Sequence, residues 1–166
     1  MIIKRLSPAD ATAYRRLRLR GLRESPAAFG SSYGEEAKRP LKAFAARLES
    51  SADRWVFGAF VGGRLIGVVT LIREEKKKER HKASIYGMFV DPKVRQQGIG
   101  AQLITRVMAT ARRMRGLKQI RLGVVESNRP ARRLYENAGF EVYGREKDAL
   151  LVAGRFHAEL LLVCFL

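Results

Sequence analysis

The seven residues "VRQQGIG" (94–100) place Arg95 and two glycines, Gly98 and Gly100, directly after an apolar run, "SIYGMFVDP", and ahead of a stretch of helical periodicity. A strand that ends in such a loop and opens a helix aims unpaired backbone N–H groups, and the positive end of the helix dipole, at one point. That point suits a phosphate. Gly98 and Gly100 lack a Cβ, so an anion can come close to the backbone, and Arg95 can add a charge-assisted contact. On these residues alone the segment reads equally as an anion cradle and as a plain turn. It is neither the GxxxxGKS/T of a nucleotide P-loop nor the GxGxxG of a dinucleotide site, and no acidic residue follows where a ribose would need one. Other reactive groups are few. His81 and His157 stand apart, with no Cys or carboxylate at ligand spacing, so no metal is expected. Cys164, in "LLLVCFL", is the only cysteine, which excludes an internal disulfide and suits a buried core thiol.

The elements that would hold such a loop follow from periodicity. Ser7 and Pro8 open a helix expected over about Pro8–Glu24, Ser7 as N-cap and Pro8 at the first helical position. "SPAAFGSSYGEEAKRP" reads as a loop. Leu41, Phe44, Ala45 and Leu48 then share one helical face. "RWVFGAFV" and "RLIGVVTLI" are β-rich runs joined by Gly62 and Gly63, a strong hairpin signal because both glycines can take positive φ. "EEKKKERHK" is expected as a solvent-exposed loop or hairpin tip, and "ASIYGMFV" as the strand that feeds the glycine loop. Ile104, Val107, Ala111 and Met114 mark the inner face of the following helix, which Gly116 ends. "QIRLGVV" is a strand. "NRPARRLYENAG" is a helix with Ala131, Leu134, Tyr135 and Ala138 inward, and "FEVYGR" and "FHAELLLVCFL" are closing strands. The order is mixed α/β, without internal repeat or low-complexity linker.

Together, "MFVDPKVRQQGIG" and "ESNRPARRLYENAGF" closely resemble the two signature segments of the GCN5-related N-acetyltransferase superfamily, in order, spacing and element context. The resemblance runs from about Trp55 to the C-terminus. It implies an α/β (α+β) single domain over 1–166, with a mixed central sheet of about six to seven strands flanked by about four helices. It implies acetyl-CoA as cosubstrate, with no metal. The backbone of Met88, Phe89 and Val90 would pair with the pantetheine arm, and the backbone amides of Arg95, Gln96, Gln97, Gly98, Ile99 and Gly100 would hold the pyrophosphate. Asn128 would contact the pantetheine, though an Asn there also suits a helix N-cap. Tyr135 stands where the family often keeps a general acid, and an aromatic on that inner face is equally what a core tyrosine looks like. Ser84 falls where several relatives carry a glutamate, so the proton route is expected through water, ending at Glu35, Glu36 or Glu126, or directly to solvent. The resemblance implies an acceptor pocket formed by "RESPAAFGSSYGEE" and by a loop before the last strand, "KDALLVAGRFHAEL"; Phe29, Tyr33, Glu35, Glu36 and Ser84 are the candidate acceptor residues, with Asp148 as a further acidic group. The acceptor implied is a primary amine of a small molecule or a peptide.

Composition bounds the partners. At 166 residues, 46% hydrophobic, the chain fits one compact domain. Its net charge of +17 attracts anions of every kind. The arginines are spread along the chain, which favours a solvated basic surface, and no specific nucleic-acid partner and no membrane partner are expected. A non-enzymatic RNA- or ribosome-associated module with a regulatory or vestigial CoA site is the rival reading. "MIIKRLSPAD" has no apolar segment of signal-peptide type, so a cytoplasmic protein is expected, as monomer or homodimer.

Overall fold

The computed structural model describes residues 1–166. Seven strands, β1 (Ile2–Arg5), β2 (Arg54–Val61), β3 (Arg64–Arg73), β4 (Lys82–Val90), β5 (Gln119–Val125), β6 (Glu141–Val152) and β7 (Arg155–Phe165), form one sheet. Their order across it is β1-β2-β3-β4-β5-β7-β6. All neighbours are antiparallel except β4 and β5. The β2–β3 hairpin turns through Gly62 and Gly63 at φ 55° and 77°, as their pairing predicts. β1 went unread in the sequence because four residues with one apolar pair carry almost no alternation signal. The segment 147–160, expected to hold a substrate loop, is instead a long β6–β7 hairpin that turns at Ala153 and Gly154. Asp148 lies in it at φ 54°, beside a register shift in β6.

Five α-helices cover the sheet, one more than expected: α1 (Ala11–Glu24), α2 (Tyr33–Ala37), α3 (Leu41–Arg47), α4 (Ile99–Arg113) and α5 (Arg129–Asn137). α1 is preceded by a 3-10 turn, Pro8–Asp10, where the Ser7 N–H donates to the Asp10 carboxylate at 2.9 Å. α2 is the extra helix, in the segment read as a loop. A capping box starts it: the Glu35 N–H donates to Ser32 Oγ at 3.2 Å, and the Ser32 N–H donates to the Glu35 carboxylate at 2.9 Å. Alternation along the strands then sorts the core into two layers. Ala83, Ile85, Ile120, Leu122, Val124, Leu160 and Leu162 face α4 and α5, whose Leu103, Ile104, Val107 and Tyr135 pack on them. Val56, Leu65, Val68 and Phe89 face α1 and α3, meeting Tyr14, Leu17 and Phe44.

Two features of the sheet matter for function. β4 and β5 pair only at Lys82 with Gln119, Ala83 with Ile120 and Ser84 with Arg121, after which their ladder stops. β4 also carries a bulge, because Thr70 pairs with Tyr86 while Val68 pairs with Phe89, and Gly87 takes up the extra residue at φ 61°. From Ser84 onward, therefore, β4 stays with β3 while β5 stays with β7, and a gap opens between them.

The helical side is tied together by one carboxylate. Glu36, 2% exposed, receives Arg47 Nη1 at 2.6 Å and Nη2 at 2.8 Å, Arg39 Nε at 3.0 Å and Arg18 Nε at 3.9 Å. It thereby joins α1, α2 and α3. The Arg47 hydrogen bonds outweigh burial and hold its carboxyl below the usual glutamate value. Glu36→Gln is expected to cost about 2–4 kcal/mol in denaturant melts at pH 7. Because the folded pKa is depressed, that contribution is complete above the ordinary value near 4.3 and is lost as pH falls through the folded one. The gap between wild type and variant should therefore narrow at pH 3.

Candidate active site

A cavity of about 540 Å³ passes through the sheet at the β4–β5 gap. Ser84 to Met88 of β4 line one side and Arg121 to Val125 of β5 the other. Strand alternation divides its walls between the two faces. Met88, Leu122 and Val124 belong to the α4–α5 layer, where Asn128, Ala131, Leu134 and Tyr135 of α5 complete the lining. Ser84 pairs with Arg121, and Gly123 and Val125 follow on that same face, which is the α1 side. There Arg18, Phe29 and Glu159 join the lining. The cavity thus has an α5 end and an α1 end, and the gap lies between them.

The glycine loop forms a wall outside the α5 end. After Arg95 the chain passes through Gln96 at φ 64° and Gly98 at φ 72°, and α4 begins at Ile99. The first-turn amides of a 15-residue helix are thereby presented beside Met88 and Leu134. Gly100 makes that approach close: a Cβ there would lie 3.2 Å from Leu134 Cδ2 and 3.3 Å from Met88 Cε. A Cβ on Gly98 would meet nothing within 4 Å, so the space in front of the turn is open. Asp91 anchors the loop. It is 2% exposed, accepts from the Lys93 N–H at 3.0 Å, and pairs with Arg20 Nη1 at 2.6 Å and Arg64 Nη2 at 3.1 Å. Burial would raise its pKa, but these donors outweigh burial and the net shift is downward.

Several side chains have other duties than the sequence suggested. Arg95 Nε donates to the Val90 carbonyl at 3.1 Å and its guanidinium lies 5.6 Å from the Phe89 ring, so this side chain braces the loop. Phe89 is buried against Gly21 and Phe29 beneath α1, and Ile99 is buried in the α4 layer. Both offer a ligand backbone alone. Gln96 and Gln97 are exposed. Asn128 caps α5, its Oδ1 accepting the Ala131 N–H at 3.2 Å, and the residue also lines the cavity.

Tyr135 is 6% exposed, stacked edge-on against Phe140 at 5.9 Å, and lines the cavity. Burial pushes its phenol up to about 12. It therefore stays protonated at any physiological pH and is a hydrogen-bond donor by default. Of the acceptor candidates, Phe29 and Ser84 line the cavity. Tyr33, Glu35 and Glu36 do not. Glu36 is enclosed by its arginines, Glu35 caps α2 at the surface, and Tyr33 receives Arg23 Nη2. Glu126 pairs with Arg145 at 2.8 Å on an exposed edge.

The carboxylate that does face the cavity is Glu159, on β7. It lies flat over Gly123, where a Cβ would come within 3.0 Å of its Oε2. Burial raises its pKa above the usual range, and Glu146 opposite it on β6 adds to the rise. Sequence reading missed it because one glutamate in "FHAELLLVCFL" carries no local signal; the glycine beneath it is 36 positions away. Glu74 also reaches the site indirectly. It accepts from Ser84 Oγ at 2.9 Å and from Arg121 Nη2 at 3.0 Å, so a carboxylate stands one hydrogen bond behind Ser84.

The chain matches the "Acetyltransferase (GNAT) family" over residues 19–140. It belongs to that family, and the split sheet with an amide-rich helix start beside it is the structural expression of the two sequence signatures. Among named relatives, a mycothiol acetyltransferase of Brachybacterium faecium is 38% identical over 82 residues, 49% of this chain and 24% of that protein. The L-amino acid N-acetyltransferase AaaT of Escherichia coli is 26% identical over 98 residues, 59% of this chain and 60% of that protein. The chain thus spans less than two thirds of either relative. Among solved structures, a GNAT-family acetyltransferase of Streptococcus pneumoniae superposes with a TM-score of 0.91 at 22% identity, covering 99% of both chains. yncA of Salmonella typhimurium, solved with its cofactor acetyl-CoA, superposes with a TM-score of 0.84 at 20% identity, covering 99% of this chain and 93% of that one.

The open space before Gly98 gives a direct test of whether this turn takes an anion. Gly98→Glu would put a carboxylate there and strain a backbone that side chains avoid, at roughly 1–2 kcal/mol. Acetyl-CoA at a hundredfold over its Kd should raise the Tm of the wild type by about 5–10 °C. The Gly98→Glu protein, although folded, should show less than about 1 °C.

Proposed function

We propose that the protein is an acetyl-CoA-dependent N-acetyltransferase in which a primary amine attacks the thioester directly in a ternary complex. One observation supports this above all. A single cavity crosses the sheet at the β4–β5 gap, with a buried phenol at its α5 end and a carboxylate of raised pKa at its α1 end. The residues present suit the cosubstrate: an unpaired β4 edge from Ile85 onward can hydrogen-bond an extended, amide-bearing arm, and the α4 amides can take a pyrophosphate. Acetyl-CoA would supply the activated acyl group, and the protein supplies orientation and proton handling.

An alkyl ammonium of pKa near 10 is less than about one part in a thousand neutral at pH 7, so it must lose a proton before it attacks. Glu159 is the group placed to receive it, and its raised pKa makes it a better base than a solvated glutamate. As the amide forms, the amine loses a second proton and the C–S bond breaks toward a thiolate. Tyr135 donates a hydrogen bond to that sulfur. Complete transfer from a phenol at about 12 to a thiolate whose acid is near 8.5 runs uphill by roughly 5 kcal/mol. Tyr135 therefore acts as an acid only if it regains a proton in the same event. Of the two protons released, one ends on the thiol and one in solvent.

The curated relatives carry the names of enzymes with different acceptors, so the acceptor has to be read from the cavity of this chain. Thiol release from acetyl-CoA, measured over an amine panel, tests the reading. Tyr135→Phe should lower kcat roughly a hundredfold. Glu159→Gln should lower kcat/KM tenfold or more and remove the rising limb of its pH profile. Its melting point should not fall at pH 7, because a carboxylate with a raised folded pKa subtracts stability once ionised. Full activity of both variants across the pH range would defeat the assignment.

A further inference from the structure

The α1 end of the cavity is cationic, contrary to the acidic pocket that Glu35, Glu36 and Asp148 suggested. Arg18 projects into it from α1 with 12% of its side chain exposed, and its guanidinium lies 4.7 Å from the Phe29 ring. Its Nε faces Glu36 at 3.9 Å, beyond hydrogen-bonding distance, and Glu36 is already engaged by Arg47 and Arg39. Its Nη1 is buried with no hydrogen-bond partner. That nitrogen lies against the β4 bulge, 3.7 Å from where a Cβ on Gly87 would stand. Arg121, on the opposite wall, likewise has a buried Nε without a partner, although its Nη2 holds Glu74.

Buried guanidinium donors without acceptors are costly, and arginine cannot escape the cost by losing its proton. Two of them on facing walls of one cavity call for an anion in that cavity. Glu159 does not cancel them, since it lies over Gly123 with a pKa raised by burial. The α1 end therefore presents a free carboxylate and unfilled guanidinium donors together. A polyamine would satisfy the first and leave the second unfilled. A short zwitterion satisfies both.

We propose that the acceptor is a free amino acid or similarly short amino carboxylate, its carboxylate held by Arg18 with Arg121 beside it and its amine turned to Glu159. This rests on the acetyltransferase reading above. It makes Arg18 a specificity-determining residue, set in place by Glu36 and the Phe29 ring. It also gives the Gly87 bulge a purpose, because a Cβ at that position would lie 3.7 Å from Arg18 Nη1 and a longer side chain would compete for the space beside it.

The test compares L-amino acids, their carboxamides and spermidine as acceptors in thiol-release assays, with the acetyl-CoA melting shift recorded for every protein. The wild type should prefer acid over amide by roughly ten- to a hundredfold in kcat/KM, the range expected for one charge-assisted contact. Arg18→Gln should bring that ratio to within about twofold of one, mainly through KM for the acid. Arg18→Lys should restore part of the preference. Amides or spermidine turned over as well as acids by the wild type, or an acid-to-amide ratio untouched by Arg18→Gln, would overturn the proposal and leave the acetyltransferase reading standing. No thiol release from any amine, together with no acetyl-CoA melting shift, would defeat both.

Discussion

The parallel ladder between β4 and β5 ends after Ser84 and Arg121, and the rest of the molecule is arranged around that interruption. A sheet normally satisfies its backbone polar groups strand to strand, so a gap in its middle leaves donors and acceptors on both edges open to water or to a ligand. The two halves can part because each keeps another neighbour. β4 remains paired with β3 through the Gly87 bulge, and β5 remains paired with β7 along its whole length. Both faces of the sheet then open into one cavity, with helix starts and helix faces from either side serving as its walls.

Charge is distributed around the gap with the same economy of partners. The chain carries twice as many basic as acidic residues, and two of its buried acids are each shared among several arginines. Asp91 holds the turn that precedes α4, and Glu36 holds the three helices on the opposite face. Neither is free to act on a ligand. This leaves Glu159 as the carboxylate in the cavity lining and leaves donors on Arg18 and Arg121 unfilled. A net charge of +17 says only that anions are attracted; which cations are spare follows from how few acids reach each cluster.

Much of the frame was legible because it depends on short-range rules. Gly62 and Gly63 turn the β2–β3 hairpin, Ser7 starts the first helical segment, Gly116 takes positive φ beyond α4, and Asn128 caps α5. β1 and α2 were not legible. Four residues cannot show alternation, and α2 is held by the ion pairs of Glu36 with Arg39, in the turn after the helix, and Arg47 on α3 more than by any periodicity of its own. The segment before β7 was misread for a related reason: "KDALLVAGRFHAEL" mixes charged and apolar residues around a glycine without clear alternation, yet it pairs as a hairpin.

At the site the division is sharper. Sequence by itself determined the frame of the α5 end, since a strand, a glycine turn and a helix start follow one another, and the Asn–Tyr helix comes after one further strand, each with backbone geometry that local residue types dictate. Only the tertiary structure decided the α1 end. Glu159 reaches the cavity because Gly123 on a neighbouring strand has no Cβ, and Arg18 keeps a spare donor because Glu36 is occupied by two other arginines. The first contact joins residues 36 positions apart and the second gathers arginines from different elements around one carboxylate, so whether a charge is free or consumed depends on what folding brings beside it.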